Sequence, residues 1–255
     1  MAAWLGAGLL ALSALAGCAS PNEPSAKEIP EGWGSPDSWV KPAEALPDPA
    51  EFATGVDNPY WPLVPGTKWI YESRTGDGTE RIEVLVLEET RTIAGIDCTV
   101  VRDTVSIDGE LVEDTYDWYA QDKDGNVWYM GEDSKEYEGG QVASTADSWE
   151  AGVDGALPGI KVWGEPHVGG APYYQEVYEG EAEDLGRDIA ADGTASVPFG
   201  EYTDVLVVEE WNKLAPQSVE LKYYAVGVGT VKEEVTRGGS EVVELIDFFV
   251  PTTDG

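Results

Sequence analysis

The chain has 255 residues, 49 of them acidic and 15 basic, for a formal charge of −34 at neutral pH. A field of that sign repels nucleic acid and anionic membrane surfaces, which excludes both as direct partners of the folded part. With 42% hydrophobic residues, 10 Trp and 12 Tyr, the chain has the apolar surface for a core and is not a disordered polyanion.

Residues 1–17 carry no charged side chain. The run is too short for a transmembrane helix of about 20 residues and has the character of an export signal. Leu15-Ala16-Gly17-Cys18 resembles the bacterial lipobox, where small residues before the cysteine fit the lipoprotein signal peptidase. That resemblance implies that Cys18 takes a diacylglycerol and becomes the new N-terminus. The partner is then the membrane, held through two or more acyl chains where one would bind only marginally. The expected location is extracytoplasmic, at the cell surface or in the periplasm. The run departs from the usual signal in having no Lys or Arg near its start. In the alternative reading Cys18 is an ordinary small residue, against which stands the polar, Pro-rich stretch that follows.

Residues 18–57 form the lipidated cysteine and its tether. Seven of the 16 prolines fall here, with no periodic apolar pattern, as in an extended spacer. Trp33, Trp39 and Phe52 either hang on that spacer or dock on the domain. The domain itself spans 58–250, with a tail at 251–255. It opens at "DNPYWPLVPGTKWIYE", where Pro59, Pro62 and Pro65 stiffen an entry loop ahead of the first strand.

From there the period is two. Ile82, Val84 and Val86 share one face; Thr99, Val101, Val105 and Ile107 share another, opposite Arg102 and Thr104. Asp108-Gly109, Asp124-Gly125 and Gly238-Gly239 supply tight turns. The stretches "DVLVVEEW", "VELKYYA", "GTVKEEV" and "EVVELIDFF" continue the series. The predicted fold is mainly β: a single domain of long antiparallel hairpins forming a curved sheet, a half-barrel, with at most one or two short helices. One helix is expected near residues 181–190.

The chemistry is sparse. A Ser-His-Asp hydrolase needs a base beside its nucleophile, and the one histidine, His167, lies between Gly and Pro in "GEPHVGG", where a loop residue is expected. Zinc sites of Cys and His fail on ligand count. After lipidation only Cys98 remains, so no intramolecular disulfide forms; its strand-like setting suits a buried small hydrophobe. Carboxylates are so numerous that spacing singles out no catalytic pair. In "DKDGN" the oxygens of Asp122, Asp124 and Asn126 alternate as calcium ligands would, but Gly stands fourth instead of sixth and Asp133 occupies the twelfth place. A hairpin turn is the stronger reading, and calcium stays a possible ligand with no other cofactor implied. Tyr116, Trp118, Trp128, Trp211 and Tyr223 either line a cavity for a lipid or a glycan, or make the core of the curved sheet.

"NPYWPLVPGTKWIYE", "DWYAQDKDGNVWYMGED" and "YYAVGVGTVKEE" resemble a family of uncharacterised bacterial secreted proteins and lipoproteins. The likeness implies export and a β-rich fold but no chemistry. More loosely, the hairpins are similar to lipoprotein carrier and localisation factors, whose concave sheet holds acyl chains. The expected function is a lipid-anchored, non-enzymatic envelope protein that binds an apolar or amphipathic ligand or acts in envelope assembly. The alternatives are a calcium- or carbohydrate-binding surface module and a carboxylate-dependent hydrolase. Oligomeric state leaves no mark in the sequence.

Overall fold

A computed structural model describes residues 4–5, 10–11, 29–41, 43, 45–76 and 78–251. The lipobox with Cys18 lies outside them, as does nearly all of the 251–255 tail. Two short strands, β1 (Trp4–Leu5) and β2 (Leu10–Ala11), pair with each other apart from the main sheet. Two 3-10 helices, Pro36–Ser38 and Pro49–Glu51, precede that sheet.

The sheet begins with four long strands, β3 (Lys68–Thr75), β4 (Gly78–Ile93), β5 (Ile96–Ile107) and β6 (Glu110–Gln121). β7 (Val127–Glu138) follows, flanked by the short β8 (Gln141–Ser144) and β9 (Trp149–Glu150), and then β10 (Leu157–Val162). After β11 (Tyr173–Tyr174) and β12 (Glu176–Val177) come β13 (Asp184–Val197) and β14 (Gly200–Asn212). β15 (Val219–Ala225), β16 (Gly229–Arg237) and β17 (Val242–Phe249) complete it. All ladders are antiparallel, and β17 pairs with β3, which joins the C-terminal strands to the N-terminal ones. The predicted curved antiparallel sheet is therefore present, and it curls almost fully into a barrel.

Closure falls to five residues. The two ends of the sheet are β11 and β12, successive pieces of one stretch of chain. Tyr173 and Tyr174 pair with Gly186 and Leu185 of β13, while Glu176 and Val177 pair with Pro158 and Leu157 of β10. Between them the Gln175 N–H donates to the Asp184 carbonyl at 2.8 Å. A barrel with its edges so joined leaves few unpaired backbone groups for other chains to pair with.

The expected helix near 181–190 is not there: residues from Asp184 onward are strand β13, paired with β14 over its whole length. The reason is steric as well as hydrophobic. Leu185 is buried beside Trp211, and a side chain on Gly186 would run into the Tyr173 ring at 3.1 Å. Residues 29–57 do not trail free. Trp33 and Trp39 bury their rings against Trp211, Leu185 and Val219 on the outer face of β13–β15, and Phe52 packs edge-on against Trp128.

The core shows the period-two pattern with one departure. Ile82, Val84 and Val86 are buried, as are Val101 and Val105. The residues in phase with them at other levels of the barrel are charged: Glu80 on β4, Asp103 on β5, Asp117 on β6, Glu210 on β14, Lys222 on β15 and Glu233 on β16 are all buried. The lumen is thus layered, apolar at one level and ionic at another.

Candidate functional site

The two levels form two adjoining compartments. The apolar one, lined by Trp61, Leu63, Trp69, Tyr71, Val84 and Val101, has a cavity volume of about 20 Å³, room for one or two waters. Asp103, Asp117, Tyr119 and Thr230 line it as well. Trp61 packs edge-on against Tyr119 and Tyr224 at ring separations of 5.7 and 5.8 Å. Tyr71 is held by its hydroxyl donating to the Thr230 carbonyl at 2.9 Å, and Trp69 by its indole donating to the Val228 carbonyl at 2.6 Å.

The loop that carries Trp61 is anchored by the sequence around it. Gln121 Oε1 accepts the backbone N–H groups of Asp57 and Asn58 at 2.9 and 2.8 Å. The Asn58 side chain donates to the carbonyls of Gly125 and Trp163 at 2.9 and 3.1 Å. The entry loop is therefore fastened to the hairpin turn that follows β6, which fixes Trp61 over the lumen.

That same turn uses the calcium candidates. Asp122 Oδ1 accepts from the backbone of Asp124 and Asn126 at 3.0 and 2.9 Å, and its Oδ2 accepts from the Asn126 amide and the Trp128 indole, both at 2.8 Å. Asn126 Oδ1 accepts from Gly164 N at 2.9 Å. These oxygens act as turn acceptors. Among the described residues no group of three or more His, Cys, Asp or Glu side chains is placed to hold a metal.

The polar compartment, with a cavity volume of about 10 Å³, centres on Lys161 and Lys222. Lys222 Nζ lies 3.1 Å from Glu210 Oε2, 3.2 Å from Glu220 Oε1 and 4.0 Å from Glu233 Oε2; Lys161 Nζ lies 3.8 Å from Glu210 Oε1. Burial on its own would raise Glu210, but the two ammonium groups, with help from Gln175, bring it down to about 2. Burial acts against the charge on Lys222, and Glu210, Glu233 and Glu220 more than offset it, holding the ammonium well above the usual lysine range. The remaining carboxyls move the other way. Desolvation pushes Glu233 to about 7 and Asp117 to about 6. Glu176 and Asp184 hydrogen-bond each other across the barrel joint, and burial raises both, Asp184 to about 7. A directly bonded pair is closer than the separation of about 5 Å or more that glycosidases keep between their two carboxyls.

The aromatic residues picked out in the sequence are not brought together. Tyr116 and Trp118 occupy the face of β6 opposite Asp117; Trp128, Trp211 and Tyr223 are the outward neighbours of Tyr129, Glu210 and Lys222. Each has its own cover. Arg91 lies over Trp118 at 3.9 Å, Arg102 over Tyr116 at 5.5 Å and Lys232 over Tyr223 at 5.3 Å, while Trp128 and Trp211 lie beneath the N-terminal segment. His167 is exposed and stacks on Trp163 at 4.5 Å, with its backbone N–H on Asp188. Cys98 is fully buried, and desolvation drives its thiol up to about 12. The residues that do converge, Trp61, Trp69, Tyr71, Asp103 and Asp117, had one sequence signal: the charged residue standing in phase with apolar neighbours.

No protein-family model and no curated protein matches the chain. Among solved structures it is similar to a "putative lipoprotein" from Parabacteroides distasonis ATCC 8503, with 11% identity, a TM-score of 0.42 and coverage of 75% of this chain and 99% of that one. It is similar also to a "putative exported protein with YmcC-like fold" from Bacteroides fragilis NCTC 9343, with 14% identity, a TM-score of 0.41 and coverage of 74% and 98%.

Proposed function

We propose that the protein is exported, held to the envelope by a lipid on Cys18, and binds a small amphipathic molecule in the apolar compartment without transforming it. The observation that carries the reading is a small pocket in the lumen lined by aromatic and aliphatic side chains together with Asp103, Asp117 and Thr230. Binding sites for small molecules have this composition, apolar lining with a few placed polar groups. In this reading the lining side chains move apart to admit the molecule, its hydrocarbon portion against Trp61, Leu63 and Trp69 and its polar end toward Asp103, Asp117 and Thr230. The lysines of the adjoining compartment are engaged by Glu210 and Glu220, a setting that suits charge balance more than chemistry on a substrate. The location rests on the lipobox likeness of residues 15–18.

Native mass spectrometry of the exported chain from residue 19 onward tests it. The expected result is a retained mass after gentle purification, or an added mass on incubation with octanol. A bare mass in both cases would overturn ligand binding and leave an interaction role in envelope assembly.

A further inference from the structure

The stretch that closes the barrel carries a buried pair of acids. Glu176 of β12 and Asp184 of β13 are hydrogen-bonded to each other, and both line the polar compartment. Asp184 Oδ2 also accepts the Asn212 amide at 3.1 Å. Glu176 is 1% exposed, and no N–H or hydroxyl among the described residues reaches its Oε2. A carboxylate buried without donors is costly, whereas a carboxylic acid can donate its proton to Asp184. One shared proton therefore holds the two side chains together.

The groups that face the pair offer no substitute for that proton. Tyr129 and Glu132 stand on β7, Lys161 on β10, Glu210 on β14, and Glu220 and Lys222 on β15. Both ammonium groups are already engaged: Glu210 lies 3.8 Å from Lys161 and 3.1 Å from Lys222, and Glu220 lies 3.2 Å from Lys222. Beside Asp184, Glu183 is engaged by Lys213 at 2.7 Å. Full ionisation would set two carboxylates in contact, where like charges repel. Burial accordingly keeps Glu176 well above the ordinary carboxylate range and lifts Asp184 to about 7.

The backbone that depends on this contact is short. The Gln175 N–H donates to the Asp184 carbonyl at 2.8 Å, and Glu176 and Val177 pair with Pro158 and Leu157 of β10. Tyr173 and Tyr174 are held from two sides instead, by Gly186 and Leu185 of β13 and by Val40, whose carbonyl accepts Tyr174 N at 3.0 Å. We propose that the Glu176–Asp184 contact is a proton latch: the shared proton holds residues 175–177 against β13, and its loss as pH rises frees them and opens the polar compartment to water. The latch is independent of what the apolar compartment binds. Once exposed, Glu176 ionises near pH 4 like any free glutamate. Opening thus releases the proton, and its equilibrium constant rises about tenfold per pH unit between about pH 5 and the raised value of the closed pair.

Amide hydrogen exchange of the exported protein between pH 5 and 7, corrected for intrinsic rates, tests the latch. The amides of residues 175–177 are expected to be less protected than those of β4 and β5, with a protection that falls about tenfold per pH unit. Glu176→Gln keeps a donor toward Asp184 but cannot ionise. It should flatten the dependence at 175–177 and leave the slopes elsewhere in place. A glutamine variant with the slope at 175–177 intact would overturn the latch. So would protection there that is independent of pH in the unsubstituted protein, or that equals the protection of β4 and β5 at every pH. Those last two comparisons decide the matter even if the variant fails to fold.

Discussion

Lys222 is 2% exposed and surrounded by Glu210, Glu220 and Glu233. An ammonium so placed is tolerable because its partners cancel the desolvation cost, and the partners depend on it in return: without the lysine, Glu210 would keep its burial and lose a main source of its charge stabilisation. Lys222→Met should therefore destabilise the domain by about 3–5 kcal/mol, the loss for breaking a buried ion pair on one side, read as a lower urea midpoint at pH 7. A change under about 1 kcal/mol would show that the cluster holds little stability. The sequence made this residue hard to place. In "VELKYYA" one face carries Glu220, Lys222 and Tyr224 and the other Val219, Leu221 and Tyr223. The period-two rule sends the apolar face inward, whereas here the charged face fills the lumen and Val219 packs outward under the N-terminal tryptophans. Asp103 and Asp117 were legible only as interruptions, each in phase with valines or a tyrosine. The outer aromatics left their two readings open for the same reason: tertiary cover from Arg91, Phe52 and Trp33 leaves no trace in local alternation.

The hairpins were readable because their turns require particular residues. Asp108 and Gly109 both adopt positive φ, 49° and 86°, the geometry that a two-residue loop between twisted strands selects. The closing segment has no such signature: β11 and β12 are two residues each, and their pairing partners, β13 and β10, lie far apart in sequence. Gly159 is what allows the segment to seat. A Cβ there would meet the Gln175 backbone at 2.3 Å and the Tyr174 carbonyl at 2.5 Å, contacts that only backbone movement relieves. Gly159→Ala should cost about 1–3 kcal/mol, as overpacking does, with faster amide exchange concentrated at residues 173–177 and in their partners on β10 and β13. Uniform exchange across the sheet would show that closure is not a separate joint. The helix expected at 181–190 failed on this element: its acidic, alanine-bearing composition suits a helix, but the barrel needs a strand beside residues 173–174.

For the whole molecule, the buried carboxyls set the sign of the pH dependence. Burial raises Glu80 to about 8, Asp184 and Glu233 to about 7 and Asp117 to about 6, while in the unfolded chain such groups ionise near pH 4. Between about pH 4 and 8 the folded state thus holds more protons than the unfolded one, and stability falls as pH rises. Glu210, at about 2, works oppositely; its contribution is present above about pH 4 and is lost toward pH 2. The urea midpoint is expected to be higher at pH 5 than at pH 8. Repulsion among the exposed acidic residues has the same sign, and molar salt separates the two, since screening acts on exposed charges. The pH difference should persist in molar salt; its collapse would assign it to the surface. The N-terminal segment gives the barrel a mechanical property as well. A pull arriving from the N-terminal side is taken first by the Trp33–Trp39–Trp211 cluster. At Val40, whose N–H donates to the Pro172 carbonyl at 2.8 Å and whose carbonyl accepts Tyr174 N at 3.0 Å, it passes straight to the strand that shuts the barrel. Load on the N-terminal side is thus shared between β14, through Trp211, and the closing segment at Tyr174, through Val40.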